Sequence, residues 1–171
     1  MTPISRTVLV LAALAVSACS NPDRFGMGTG PGAGAGAPGM GAGAASDPTT
    51  VAYFNQTIGD RVLFAVDQST LSDAARATLE QQARWLIENT GYSATIEGHA
   101  DEQGTTQYNL ALGERRANAA KEYLVSRGVS PARLRTVSYG KERPIAICSE
   151  ESCYAKNRRA VTVVAAGGLS S

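Results

Sequence analysis

The stretch Glu97–Gly104, Glu-Gly-His-Ala-Asp-Glu-Gln-Gly, joins the two elements that decide the fold. Its first three residues end a strand, which β-branched residues and alternation predict over Tyr92–His99. After it, apolar residues at three- and four-residue spacing predict a helix over Thr106–Ser126, closed by Gly128. A strand that leads directly into a helix is typical of a layered domain with one sheet and one layer of helices.

The flanking sequence supplies the other elements. Ser72 can cap a helix that runs to about Asn89. One apolar stripe predicts its buried face: Ala75, Leu79, Ala83, Leu86 and Ile87. Further strands are predicted at Phe54–Ile58 and Arg61–Val66, as a hairpin around Gly59-Asp60, and at Leu134–Tyr139 and Ala160–Val164. We therefore predict an α/β fold (an α+β sandwich), with one mixed sheet of about four strands and two main helices packed on one face.

The N-terminal sequence predicts export and lipid anchoring. Residues 1–18 have a charged start, a short apolar run and a small-residue end, which is the layout of a signal peptide. Cys19 stands where cleavage is expected, so the segment matches a bacterial lipoprotein signal, with a chance cysteine after an ordinary secretory signal as the alternative. Ser20 is not the aspartate usually associated with inner-membrane retention, which favours the periplasmic face of the outer membrane. Two or more acyl chains give stable anchoring.

A glycine-rich segment separates the anchor from the domain. Gly26–Gly43 has nine glycines and four alanines among 18 residues, so it has little to bury and predicts a flexible tether. From Ser20 to Ser46 its root-mean-square span would be roughly 30 Å. The predicted organisation is a signal peptide at 1–18, a lipidated N-terminus and linker at 19–47, and one domain at 48–171.

Composition excludes several classes of protein. The chain of 171 residues has 16 Lys and Arg against 15 Asp and Glu, and loss of Arg6 with the signal leaves 15 of each. This balance argues against a nucleic-acid binder. No apolar run reaches the roughly 18–20 residues of a spanning helix, which argues against a channel or transporter. A single histidine argues against a multi-histidine zinc centre, and no catalytic residues, metal site or cofactor are predicted beyond the lipid on Cys19.

Cys148 and Cys153 lie in Cys-Ser-Glu-Glu-Ser-Cys. An exported chain meets an oxidising compartment, so a small-loop disulfide is predicted, with two free thiols as the alternative.

The predicted helix Thr106–Ser126 carries the candidate binding residue. Asn109, Leu112, Arg116, Ala119, Ala120 and Tyr123 share one face, which we expect to pack on the sheet. A buried guanidinium needs a carboxylate or a ligand, and Asp101, just beyond the strand, is the expected partner of Arg116. Arg115 points away and is expected to be solvated. The pair could form a ligand site at the strand end or a purely structural ion pair. His99 and Glu102 beside Asp101 also allow a metal site, although a structural histidine is the more common case.

Several motifs, in the same order, carry a family resemblance. They are Glu97–Gly104, Tyr108-Asn109, Leu112–Asn118, Ser138–Pro144 and Lys156–Val161. Together they resemble the OmpA-like peptidoglycan-binding domain, and in particular the lipoproteins of the Tol–Pal system, from about Val62 to Val164. The resemblance implies a wall-binding domain that tethers the outer membrane to peptidoglycan, with periplasmic and inner-membrane Tol–Pal partners and a role in envelope constriction at division.

The resemblance also implies the site residues. In that family an aspartate and an arginine bind the charged end of diaminopimelate in the stem peptide, and these fall on Asp101 and Arg116. The resemblance implies Asn109 as a polar pocket residue or as a residue that orients the helix start. Tyr108, beside it near the helix start, could also face a ligand. The family's aromatic–acid–aromatic–acid stretch is Phe64-Ala65-Val66-Asp67 here: Phe64 and Asp67 match, as a wall and a loop or pocket group, and the two central residues depart. The alternatives are a related lipoprotein outside Tol–Pal, a motor-stator relative, and a metal-dependent wall hydrolase using His99, Asp101 and Glu102.

Overall fold

Strand β2, Tyr92–His99, is an inner strand of a four-stranded sheet in the computed structural model, which describes residues 46–167. The predicted signal, Cys19 and the glycine-rich segment lie outside these residues. The other strands are β1 (Arg61–Leu63), β3 (Leu134–Gly140) and β4 (Arg159–Ala166). The helices are α1 (Val51–Tyr53), which continues as a π-helix over Phe54–Gly59, α2 (Asp73–Glu88), α3 (Thr106–Ser126) and α4 (Glu151–Asn157), with a 3₁₀ turn at Pro131–Arg133.

The sheet is mixed, as predicted. The strand order is β1-β4-β2-β3, and β4 runs antiparallel to both of its neighbours. β2 and β3 are parallel, with Ile96 opposite Thr136. The parallel pair needs a crossover, and α3 supplies it. The predicted fold class is confirmed. No helix in residues 46–167 is long and apolar enough to cross a membrane.

The predicted hairpin is wrong. Phe54–Ile58 is helical, and β1 pairs with β4 rather than with the preceding segment. Val51, Phe54 and Ile58 are spaced three and four residues apart, which fits a helical face as well as an apolar strand. Thr50 caps the helix by accepting a hydrogen bond from the Tyr53 amide, and buried Phe54 packs 4.9 Å from the Trp85 ring.

The main helices follow their predicted faces. Ser72 caps α2, and four members of its stripe are buried, whereas Ile87 at the helix end is 44% exposed. On α3, Asn109, Leu112, Arg116 and Ala120 are buried, while Ala119 and Tyr123 are half-buried. The most buried face of α3 also includes Gly113, Ala117 and Leu124, so the helix is turned slightly from the predicted orientation.

Helix α3 approaches β2 at a glycine pair. A Cβ atom at Gly98 would overlap the backbone carbonyl of Gly113, so no side chain fits between this strand and the helix. The close approach fixes the height of α3 above the sheet. It thereby sets the position of the helix start relative to the end of β2.

Replacing Gly98 by Ala is expected to destabilise the domain by about 1–3 kcal/mol, because either backbone must move to relieve the overlap. Urea unfolding measures the change. Gly91→Ala is the matched control, since nothing lies within 4 Å of a Cβ at Gly91. Equal stability of the two variants would contradict the close approach.

Candidate functional site

The end of β2 and the start of α3 enclose a cavity of about 270 Å³. The loop after β1 forms its third wall. The cavity therefore lies where the sequence placed a ligand site, at a strand end beside a helix start. Its lining consists of Val66, Asp67, Asp101, Gln103, Gly104, Tyr108, Asn109 and Leu112. Of the six predicted ligand-binding residues, the structure places Asp101, Asn109, Asp67 and Tyr108 in this lining.

Asp101 is the more deeply placed of the two carboxylates in the lining, and its residue is 8% exposed. Its Oδ1 accepts a hydrogen bond from the Gln103 amide at 3.2 Å, and its Oδ2 forms a salt bridge with Arg158 Nη1 at 3.1 Å. The expected direct pair with Arg116 is therefore wrong. Arg158 follows α4 and reaches the carboxylate, while the Arg116 guanidinium is held by carbonyl groups.

Arg116 is completely buried, as predicted, but its partners are backbone oxygens. Nε donates to Gln68 O at 2.8 Å, Nη1 to His99 O at 2.9 Å and Nη2 to Ala65 O at 3.2 Å. Burial lowers the pKa of Arg116 to about 10, and the charge of Asp101 opposes that shift. The side chain remains charged at neutral pH. It joins the loop after β1 to the end of β2.

Phe64 lies beneath the cavity rather than in its lining. The residue is 5% exposed, and its ring lies 5.3 Å from the guanidinium carbon of Arg116, which is a cation–π distance. Val66 lines the cavity in this loop, with half of its surface exposed. Of the two residues that depart from the family pattern, Val66 thus gives the cavity an apolar rim, and Ala65 does not line it but accepts from Arg116 through its carbonyl.

Asp67 and Tyr108 close one side of the cavity together. Asp67 has a left-handed backbone (φ 56°), which Asp tolerates better than most residues, and its Oδ1 accepts a hydrogen bond from the Tyr108 hydroxyl. This bond raises the pKa of Tyr108, because the carboxylate stabilises the protonated phenol. Exposed Arg115 lies 5.9 Å from the Tyr108 ring, so it is solvated as predicted and does not enter the core.

The start of α3 is fixed by side chains that organise the cavity floor. Thr105 caps the helix by accepting from the Tyr108 amide at 3.2 Å. Asn109 donates its amide to Gln103 O at 2.7 Å, which supports the predicted role of Asn109 in orienting the helix start. Lys141, which directly follows β3, donates a hydrogen bond from Nζ to Gly104 O at 2.8 Å.

Arg158 is the residue that sequence reasoning missed. It is 4% exposed and contacts Asp101, Glu151 and the Phe64 carbonyl. The motif Lys156–Val161 included it, yet no role followed from spacing because its partners lie far away in the chain. A detectable signal was the pair of arginines just before a predicted buried strand, where a charge requires a partner.

His99 is buried at the end of β2 and does not line the cavity. It is 2% exposed, its ring lies 5.6 Å from that of Tyr139, and Nε2 lies 3.7 Å from a Glu97 carboxylate oxygen. Burial lowers the pKa of His99 to about 4, and the charges of Arg159 and Arg143 act in the same direction. The imidazole is therefore neutral near pH 7, despite the nearby carboxylate.

This pKa predicts a loss of stability in acid. A histidine has a pKa near 6.5 when unfolded, so protons favour the unfolded chain below that pH. The His99 contribution is fully present above pH 6.5 and is lost as the pH falls towards 4, by about 3 kcal/mol. Urea unfolding of wild type and His99→Gln at several pH values between 7 and 4 measures this loss as the difference between the two plots of unfolding free energy against pH. Parallel plots would contradict the lowered pKa of His99.

Glu102 points away from the cavity. Its Oε1 accepts hydrogen bonds from Tyr154 at 3.0 Å and from Ser149 at 3.4 Å. Across residues 46–167, no group of three or more His, Cys, Asp or Glu side chains is arranged to hold a metal ion. The three residues of the hydrolase alternative thus have separate partners.

Cys148 and Cys153 form a disulfide that brackets the start of α4, in agreement with the pairing expected for an exported domain. Cys19 lies outside the described residues.

Comparison with known proteins agrees with this fold. The sequence profile of the OmpA family matches residues 63–158, and the chain belongs to the OmpA family. It is 52% identical to the peptidoglycan-associated lipoprotein of Rhizobium meliloti (strain 1021), over 72% of this chain and 70% of that protein. It is 42% identical to the protein of the same name in Agrobacterium fabrum, over 99% of this chain and 94% of that protein.

Solved structures extend the comparison. The crystal structure of the peptidoglycan-associated lipoprotein from Burkholderia pseudomallei matches with a TM-score of 0.65 and 36% identity, over 70% of this chain and 100% of that chain. The C-terminal domain of Helicobacter pylori MotB matches with a TM-score of 0.58 and 21% identity, over 62% of this chain and 84% of that chain, which shows the fold alone. The relatives are named as lipoproteins and not as enzymes.

Proposed function

We propose that this protein is an outer-membrane lipoprotein that binds peptidoglycan noncovalently and tethers the membrane to the cell wall. Its relatives are named peptidoglycan-associated lipoproteins, and the lipoprotein signal around Cys19 supports the same function independently. In this proposal residues 1–18 are the signal, 19–47 the lipidated linker and 48–171 the wall-binding domain. The single observation that carries it is the cavity at the end of β2, with two carboxylates beside a buried arginine.

The cavity suits a ligand that carries an ammonium group. Asp67 and Asp101 both line it, Asp101 is the buried one of the two, and a carboxylate beside an ammonium forms a charge-assisted hydrogen bond. Diaminopimelate in the stem peptide offers an ammonium and a carboxylate on the same carbon. The ammonium would bind Asp101, and the carboxylate would face Arg116 and the start of α3, where the helix dipole favours negative charge.

Arg116 would act on that carboxylate in two ways. Its charge interacts with those of Asp101 and Asp67 in the cavity lining, and its three hydrogen bonds hold the surrounding carbonyl groups in place. Three of its five N–H groups are used by these carbonyls, and because the side chain is completely buried, a direct contact requires the loop that carries Ala65 and Gln68 to move. The positive charge acts at a distance even before such a movement, because the guanidinium itself is buried away from water.

The proposed partners are peptidoglycan and the periplasmic and inner-membrane proteins of the Tol–Pal system, with a role in outer-membrane constriction at cell division. The family also contains wall-binding lipoproteins outside that system. Capture of the periplasmic propeller protein of Tol–Pal by the purified full chain distinguishes the two. Retention of that partner supports the Tol–Pal assignment, and its loss in the wash contradicts it.

Wall binding is tested by sedimentation of the full-length chain with purified sacculi. Sacculi that contain diaminopimelate should retain the protein, whereas sacculi with lysine at the same stem position lack the second carboxylate and should retain much less. Soluble wall fragments should not appear, since release of fragments would indicate a hydrolase. Equal retention on both sacculi would contradict recognition of diaminopimelate.

The anchor is tested in cells. Cys19→Ser should move the protein from the outer-membrane fraction to the soluble periplasm, and a labelled fatty acid should enter only the wild type. A Cys19→Ser protein that still sediments with the membrane, together with an unlabelled wild type, would overturn the lipoprotein assignment.

A further inference from the structure

The segment 148–158, here called the disulfide segment, is attached to the loop that follows β2 at two adjacent acidic residues, Asp101 and Glu102. Ser149, near the start of the segment, and Tyr154, in α4, donate hydrogen bonds to the carboxylate of Glu102. At the end of the segment, Arg158 binds Asp101 at 3.1 Å. The residues that follow β2 are therefore positioned by side chains from a segment about 50 residues later in the chain.

The helix in this segment is too short to hold its own shape. α4 has seven residues, and isolated helices shorter than about 12 residues are marginal in water. Glu150, which precedes it, makes no capping hydrogen bond with its side chain. External attachments must therefore order the segment, and each end of α4 has one.

The two attachments differ in kind. At the C-terminal end, the Asn157 side chain accepts from the Ile145 amide at 2.9 Å and donates to Ala146 O at 2.8 Å. At the N-terminal end, the disulfide joins Cys153, the third residue of α4, to Cys148 before the helix. Tyr154 follows Cys153 directly, so the covalent attachment acts on the residue that binds Glu102.

We propose that the Cys148–Cys153 disulfide is a positioning element of the wall-binding cavity, and that its reduction weakens binding of peptidoglycan. This inference rests on the proposed function. A dithiol would break the S–S bond by donating two electrons and two protons, giving two Cys thiols, and would itself become a disulfide. Both cysteines are half-buried, so the bond is not sealed in the core. Release of the first turn of α4 loosens the Tyr154–Glu102 contact, and the Asp101 loop becomes less ordered.

The experiment measures binding of the full-length chain to a soluble muropeptide with a diaminopimelate stem, before and after reduction with dithiothreitol. Reduction should raise Kd by about threefold to tenfold. The Cys148→Ser/Cys153→Ser variant should bind like the reduced wild type and should not respond to dithiothreitol. In Tyr154→Phe, which lacks the hydroxyl that binds Glu102, reduction should change Kd less than in wild type.

A second readout measures the same coupling as a shift of the redox equilibrium. Linkage requires that the muropeptide shifts the thiol–disulfide equilibrium in a glutathione buffer towards the disulfide by the same factor. An equilibrium that is unchanged by saturating muropeptide, or equal Kd values for the oxidised and reduced chains, would overturn the inference and leave the proposed function intact. An oxidised wild type that binds no muropeptide would overturn both.

Discussion

Arg116→Ala is expected to lose about 3–5 kcal/mol of unfolding free energy. The variant removes a fully buried side chain and leaves the carbonyl oxygens of Ala65, Gln68 and His99 without their donor. A domain of this size has about 5–15 kcal/mol of stability, so the variant would be close to unfolding. Urea unfolding with a far-ultraviolet signal measures the change.

Two further variants identify the cause. Arg116→Lys keeps the charge but cannot reach three carbonyl groups with a planar fork, so it should recover only part of the loss. Arg115→Ala is the neighbouring control, since that side chain is exposed, and it should change stability by less than about 0.5 kcal/mol. Similar stability of Arg116→Ala and Arg115→Ala would show that the three carbonyl contacts contribute nothing, and would contradict the geometry at the centre of the site.

Arg116 also shows what sequence can and cannot reveal. The spacing of apolar residues on α3 correctly placed it on the buried face, because helical periodicity is a local property. Its partners are backbone groups from two other elements, which no side-chain pattern records. The expected pair with Asp101 failed for this reason: both groups are buried in one region, but each has a different partner.

The fold shows the same difference between local patterns, which the sequence reveals, and long-range contacts, which it does not. β2 and α3 were predicted with the bounds that the structure shows, because a long alternating or periodic run is unambiguous. The prediction for Phe54–Ile58 failed because a five-residue segment with apolar residues only at its two ends fits either a strand or a helical turn. The strand order and the location of Arg158 depend on long-range packing. The same packing brings four further residues into the cavity lining: Val66, Gln103, Gly104 and Leu112.

Asp101→Asn is expected to cause a large loss of wall binding with little change in the shape of the side chain. The amide keeps the volume of the carboxylate but removes the charge that would bind the ligand ammonium, and loss of a buried charge-assisted contact costs about 2–5 kcal/mol of binding. Sacculus retention at micromolar protein should therefore be abolished, and Kd for the soluble muropeptide should rise more than about thirtyfold. Arg158 keeps its contact with Glu151, so the variant should fold.

The control for this prediction is Asp73→Asn, which makes the same chemical change at the start of α2, where the side chain is fully exposed. It should bind the wall like wild type. Both variants must retain cooperative unfolding, because Asp101 also accepts from Gln103 and pairs with Arg158, and a purely structural carboxylate would lower stability without a specific effect on the wall. A folded Asp101→Asn that binds sacculi as tightly as Asp73→Asn would show that this carboxylate holds Arg158 and nothing else. The ammonium of the stem peptide would then have to bind elsewhere, with Asp67 as the remaining carboxylate in the lining.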